Sequence, residues 1–539
     1  MRLVAQVGSA IGRQFPYVLL RAVSRLPEDA LQAALDRLVA SELVFQRGVP
    51  PDAVYTFKHA LVQDTAHGSL LRNSRQQLHA QIAEALEALS PELTESQPEL
   101  FAQHYTEAGL VEKSVVYWGS AGRRSVARSA MAEAAAQLKK ALDQLALLPE
   151  DPDRQRKELE FRSALGAVLS AVKGHAASET GQAYARAREL WEQLGSPPGF
   201  LQVPYGQSRY HGHRGELDQA QRLDEDLLRL SRQRNDSAGL ILGHLSAGRN
   251  LMYGGKFVAS RSHLEAGFAL YDPISHRSLV RQFGMYPQVG SQAYLGIVLF
   301  CLGYPDQAFV QSNAAIAGAR RLAHPTSLAA SLAIGARLLS LLGDNAVLDE
   351  WVEELAAITT EHGFPHWGAQ GTIYRGWVRV KNGDMEEGIS LLRRGSTAYS
   401  VTASDAWMPY FLTLLASAHE IVGQGEAGLH LLDEALQIVE RNGERWFAAE
   451  LNRRKGQLLL RQGQPEAAEE LYCEALSIAE EQEAKLWELR TAASLARLRR
   501  DQGRRAAARD LLAPVYGWFT EGFDTPDLKE AKALLDELT

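Results

Sequence analysis

The chain has 539 residues, 46% of them hydrophobic and 23% charged, with a formal net charge of −8. Its length far exceeds one compact core, its modest and mixed charge argues against nucleic acid as the main partner, and no apolar run approaches the roughly 18 residues of a membrane span. The start, MRLVAQVGSAIGRQF, lacks a secretory hydrophobic core followed by a small-residue cleavage site, so a cytoplasmic location is the expectation.

Residues 1–92 read as a small α+β domain. Leu26 to Ser41 predicts a helix with Pro27 at its first turn, acids at its N-terminus, and Leu31, Leu35 and Leu38 on one face. LVFQRG and AVYTFKH, parted by VPPD, predict a β-hairpin, and helices follow from His59 and at RQQLHAQIAEALEAL. Helix, helix, then hairpin is the order of a winged helix. As a DNA reader it is poor: the candidate recognition helix carries Glu28, Asp29, Asp36 and Glu42 against Arg37 alone, whereas Lys and Arg neutralising phosphate supply most of the affinity for DNA.

Residues 93–200 continue as helical hairpins of looser period, alanine-rich where helices must approach, and SPPGFLQVP at 196–204 breaks them. Residues 201–539 are regular. Gly215 and Gly255 are 40 apart, a step of 48 follows, and then Gly303, Gly343, Gly383, Gly423, Gly463 and Gly503 recur every 40 residues. Seven residues before each of these six stands a small residue, Gly296, Ala336, Gly376, Ala416, Gly456 or Ala496. Each unit reads as a helix, a glycine that tolerates a left-handed turn, and a second helix packed closely on the first. The offsets Gly456, Ala468, Tyr472, Ala475 resemble those of the tetratricopeptide repeat, which runs about 34 residues; a step of 40 requires longer helices or longer turns. The expected architecture is an all-α solenoid of tetratricopeptide-like hairpins with a small N-terminal winged-helix domain.

Four features compete for function. Trp367, Trp407, Phe447 and Trp487 form a second ladder of step 40 at the start of successive first helices. They either plug the gap to the preceding repeat's second helix or line a groove for a partner, with packing the favoured reading. The eight extra residues of the 48-step lie within 271–288, where Arg277, Arg281, Phe283 and Tyr286 suit a ligand grip, or else a longer surface connection. His211 and His213 make a His-x-His pair that no Cys, Asp or Glu cluster joins at metal-ligand spacing. Cys301 and Cys473 fall at apolar-face positions and are expected as buried thiols. No catalytic constellation is present, so no enzyme activity is expected of this chain.

SAIGRQFPYVLL, LPEDALQAALDRLVASELVFQRG, YTFKHALVQDTAHGSLL and RQQLHAQIAEALE resemble the winged-helix segment that follows the ATPase core in bacterial signal-transduction ATPases with numerous domains. The likeness is to the group in which an adenylate or guanylate cyclase domain comes first and repeats come last. It implies a regulatory, sensing arm that binds a protein or peptide partner. It also implies that His59, in Phe57-Lys58-His59-Ala60, is a latent contact to a nucleotide phosphate, although Lys58 and Ala60 depart from the Met-His-Asp pattern of related ATPases. No Gly-x-x-x-x-Gly-Lys-Ser/Thr loop occurs, and Tyr253-Gly-Gly-Lys-Phe257 is only a decoy. ATP or ADP is therefore expected only where an ATPase core is supplied elsewhere, and the chain reads as a truncated gene, a fragment or a partner providing the regulatory arm. Two alternatives remain at this level: the C-terminal part of an ATP-binding cyclase whose catalytic domains lie upstream, or a transcriptional regulator.

Overall fold

A computed structural model describes residues 1–276, 279 and 285–539. The chain divides into two units, Met1–Phe161 and Arg162–Thr539.

The first unit opens with α1 (Arg2–Ile11), β1 (Gln14–Pro16), α2 (Tyr17–Ser24), α3 (Glu28–Ala40), β2 (Val44–Arg47) and β3 (Val54–Phe57). The strands form an antiparallel sheet in the order β1-β3-β2. The expected hairpin is β2–β3. The third strand is new, because three residues ending in proline carry no alternation to read. Its register places Phe15 against Tyr55, with ring centroids 5.8 Å apart. A methyl on Gly8 would come within 2.8 Å of the Phe15 ring, so the close approach of α1 to the sheet requires that glycine. Val4, Leu20, Leu31, Leu35 and Tyr55 complete a dry core. Helical pairs follow. His79 and His104 meet at 2.9 Å through their Nδ1 atoms, and burial pushes both down to about 4, so one neutral ring donates to the other.

The second unit is a stack of helical hairpins. Every ladder glycine from Gly215 to Gly503 is left-handed, with φ between 74 and 94°, and each closes the turn between the two helices of a hairpin. The 40-residue step comes from helix length. Pro465–Glu481 and Lys485–Asp501 each hold 17 residues, and only three-residue turns separate them from each other and from their neighbours. A further ladder of positive φ lies at Ala323, Gly363, Ala403, Gly443 and Glu483, again every 40 residues, in the turns between hairpins. The sequence hid it because only two of the five are glycine.

The small residues stand where helices cross. A Cβ on Gly376 would lie 2.8 Å from the Gly388 carbonyl oxygen, and one on Gly456 2.8 Å from the Tyr472 ring and 3.2 Å from the Ala468 oxygen. Gly456→Leu should therefore cost about 1 to 3 kcal/mol or more through overpacking. Gln464→Leu, in the exposed turn nearby, should shift melting little. Equal melting shifts would mean the repeat phase is misplaced.

Two expectations are corrected. Cys301 is buried but Cys473 is exposed, because it faces away from the crossing that Tyr472 and Ala475 fill. Pro325–Leu342 is an 18-residue helix apolar enough to match a membrane span by length and composition. It is 78% buried in the solenoid, and apolar all round because neighbours cover both sides.

The solenoid winds tightly enough for successive superhelical turns to touch. His213 O accepts from Asp405 N at 3.0 Å and Ala406 N at 3.2 Å, and Tyr253 O accepts from Arg445 N at 2.7 Å and Trp446 N at 3.1 Å. Thus the ends of first helices in one turn of the superhelix sit on the starts of first helices one turn later. A further long-range contact is made by Asp306, at the start of a second helix, whose N–H donates to Glu521 Oε1 at 3.0 Å and whose Oδ2 accepts from Gly522 N at 3.0 Å.

Candidate functional site

Where the turns meet, the concave interior closes into a small chamber. The helix Gln202–His213 contributes Arg209 and His213, Pro325–Leu342 contributes Arg337, and Pro365–Lys381 contributes His366, Trp367 and Gln370. His175 and Trp407 also line it, and its free space is about 20 Å³.

The lining is cationic and aromatic. Arg337 is fully buried, its Nη2 donates to Gln370 Oε1 at 2.9 Å, and its guanidinium lies 3.6 Å from the Trp407 ring centroid. Among the described residues its Nε and Nη1 make no close hydrogen bond, and the buried Tyr374 hydroxyl lies nearby. Arg209 Nη2 donates to His175 Nε2 at 2.9 Å, while Arg209 Nε and His175 Nδ1 have no such partner there. Neither ring nitrogen of His213 is paired among the described residues. The three imidazoles cluster, with His175 ring centroids 4.6 Å from His213 and 5.1 Å from His366. Burial holds His175 and His213 well below the usual histidine range and pushes His366 down to about 3, so all three are neutral at pH 7. A cluster with more donors than acceptors is costly in a low-dielectric interior.

Two carboxylates stand nearby. Glu444 Oε1 accepts from Trp407 N and Trp446 Nε1, each at 2.8 Å, and burial pushes the group up to about 7. Asp224, raised by burial to about 6, accepts from Ser208 Oγ and Asn250 Nδ2, each at 2.6 Å, and stands beside the buried Arg249. Among the described residues no group of three or more His, Cys, Asp or Glu side chains is placed to hold a metal ion.

All four ladder rings are buried: Trp367 and Trp407 meet the chamber, and Phe447 and Trp487 lie further along. Their partners are not only neighbouring repeats. Trp367 meets His175 at 5.8 Å, Trp407 meets Tyr253 at 5.1 Å, and Trp487 meets Phe300 at 5.5 Å, each a residue of the preceding superhelical turn. Tyr286 is also buried, its N–H donating to Ser327 Oγ at 3.0 Å; Arg277, Arg281 and Phe283 lie outside the described residues. His59 is exposed at the N-terminus of its helix and makes no side-chain capping bond. His211 pairs with Glu216 on the surface, while His213 enters the chamber. The sequence reading missed Arg337 and Arg249. A single arginine inside SLAASLAIGARLLSLL, and another inside LILGHLSAGRNLMY, was the available signal, since Arg in an apolar helix needs a partner. Arg209, His175 and His366 carried no such mark.

Among known proteins, a family model described as Tetratricopeptide repeat matches residues 408–481. An uncharacterized protein of Rhizobium meliloti (strain 1021) is 26% identical over 491 residues, which is 90% of this chain and 47% of the relative. The chain thus spans about half the length of the curated relative it matches. A solved structure of a Rap protein complexed with competence and sporulation factor aligns at a TM-score of 0.50 and 14% identity, covering 69% of this chain and 99% of that one. A Signal Transduction ATPase with Numerous Domains (STAND) protein with a tetratricopeptide repeat sensor, from Pyrococcus horikoshii, aligns at a TM-score of 0.42 and 10% identity over 87% of this chain and 65% of that one. This chain accordingly carries a tetratricopeptide repeat region within a helical solenoid of the same fold as the Rap protein.

Proposed function

We propose that this chain is a non-catalytic sensing arm of a cyclase–ATPase signalling system, which binds a protein or peptide partner through its repeats. The observation that carries the reading is the tetratricopeptide-type solenoid whose turns close on each other through a few backbone contacts and one polar chamber. Such contacts suit a closure that a ligand can bias. The Rap protein is described in complex with a factor, which supports ligand binding on this fold. The N-terminal order α1-β1-α2-α3-β2-β3, with β1 in the sheet, supports a winged-helix domain, and the sequence resemblance through that region supports the ATPase setting.

The purified chain should neither hydrolyse ATP nor form cyclic AMP, and turnover surviving removal of contaminants would count against the reading. The coupling test uses the DNA flanking the coding region. A protein with a phosphate-binding loop encoded there, assayed with and without this chain, should change its ATP turnover by about 5-fold or more, the ordinary size of coupling between sites. Unchanged turnover, or no such protein, would sink it.

A further inference from the structure

We propose that the chamber is an anion-binding site, taking one carboxylate or phosphate group between the superhelical turns on Arg209, Arg337 and His213. The proposal rests on the sensing reading only for its consequence, that the bound group controls how tightly the turns close. Three observations meet here. The first is donor geometry: among the described residues Arg337 Nε and Nη1, Arg209 Nε, His175 Nδ1 and the one N–H of neutral His213 are donors without a hydrogen-bond partner, and all four residues line one cavity. Arg337 is 0% exposed and His175 and His213 are each 3% exposed, so these groups are shut off from bulk water. Guanidinium presents planar paired donors that match an oxyanion.

The second is charge. Arg209, Arg249 and Arg337 face the buried region, and among the described residues Asp224 and Glu444 are the buried carboxylates that stand with them. Asp224 is already held by Ser208 and Asn250 beside Arg249, and Glu444 by two N–H groups. Asp405, beside Glu444, pairs with Arg441, so among the described residues three guanidinium groups stand against Asp224 and Glu444, and a monoanionic group in the chamber would balance the excess positive charge.

The third is size and access. A space of about 20 Å³ is that of roughly one water-sized group, so in this closed arrangement it admits a single oxygen of an anionic group, and the rest of the carboxylate or phosphate enters only as the turns part. Arg209 alone among the charged lining residues is only half-buried, which makes it the approach from solvent. Because the lining comes from residues as far apart as His175 and Trp407, a group bound there ties one superhelical turn to the next.

The full chain is melted and titrated calorimetrically with sodium phosphate, sodium acetate and sodium chloride at constant ionic strength. Phosphate or acetate should raise the melting temperature saturably and chloride should not. Saturation by phosphate alone assigns a phosphate-bearing ligand, by acetate alone a carboxylate-bearing one, and by both the shared oxyanion chemistry. Arg209→Gln, half-buried and so tolerable, should weaken the response at least 10-fold; Arg337→Gln should abolish it but risks the fold. Equal stabilisation by chloride, no saturation, or an unchanged response in Arg209→Gln would overturn the proposal. Anion binding without coupling to ATP turnover would leave the site standing and sink the signalling reading, and coupling without anion binding would do the reverse.

Discussion

Trp407→Ala is expected to destabilise the solenoid by about 3 to 5 kcal/mol, the cost of emptying a buried aromatic site. The indole is 3% exposed. It stands edge-on to Tyr253 at 5.1 Å and to Trp446 at 4.9 Å, and it carries the Arg337 guanidinium on its face. Removing it leaves a cavity between two superhelical turns and strips a buried cation of its aromatic partner. The backbone N–H of Trp407 donates to Glu444 Oε1, a bond that alanine keeps, so the loss isolates the ring. Thermal melting and acrylamide quenching are the measurements. The parent should emit at short wavelength and quench poorly; free quenching with unchanged melting would show the ring to be a groove surface open to a ligand.

Glu450→Gln should have a comparable effect for a different reason. Glu450 is 1% exposed and accepts from Arg453 Nε and Nη2, each at 2.6 Å, and from Arg454 Nε at 3.1 Å, with Arg490 Nη1 at 3.8 Å. Burial by itself would raise its carboxyl, but the Arg453, Arg490 and Arg454 guanidinium groups hold it down to about 2. Arg490 goes on to pair with Asp527 and donates to the Leu341 carbonyl at 2.7 Å, so the cluster also joins two turns. Neutralising Glu450 leaves buried cations short of a counterion, a loss of about 3 to 5 kcal/mol. The pH dependence follows from the sign of the shift. A folded value below the unfolded one near 4.5 gives stability that is full above 4.5 and is lost as pH falls toward 2. Urea unfolding at pH 7 and pH 3 should show a smaller acid loss in the variant than in the parent. Equal stability of the two proteins at pH 7 would contradict the role given to the cluster.

The repeat was legible because glycine and small residues are dictated by local geometry. A left-handed turn excludes most side chains, and a close helix crossing excludes large ones, so Gly463 and Gly456 report their surroundings wherever they occur. The turns between hairpins were not legible. Ala323, Ala403 and Glu483 adopt positive φ without glycine, because packing on both sides sets the backbone there and leaves no residue signature. Trp367, Trp407, Phe447 and Trp487 were visible as a ladder, but not their partners, since contacts between Trp407 and Tyr253 or Trp487 and Phe300 span more than 150 residues of sequence.

By itself, then, the sequence determined the helical hairpin, its period and its close-packing positions, all of which depend on residues within one repeat or the next. Only the tertiary structure decided how many repeats make a superhelical turn, and therefore that His175, Arg209, His213, Arg337 and Trp407 share one chamber. That pitch is the sum of small rotations between successive hairpins. No single residue encodes it, so side chains scattered across five helices and turns became a site only when the solenoid closed on itself.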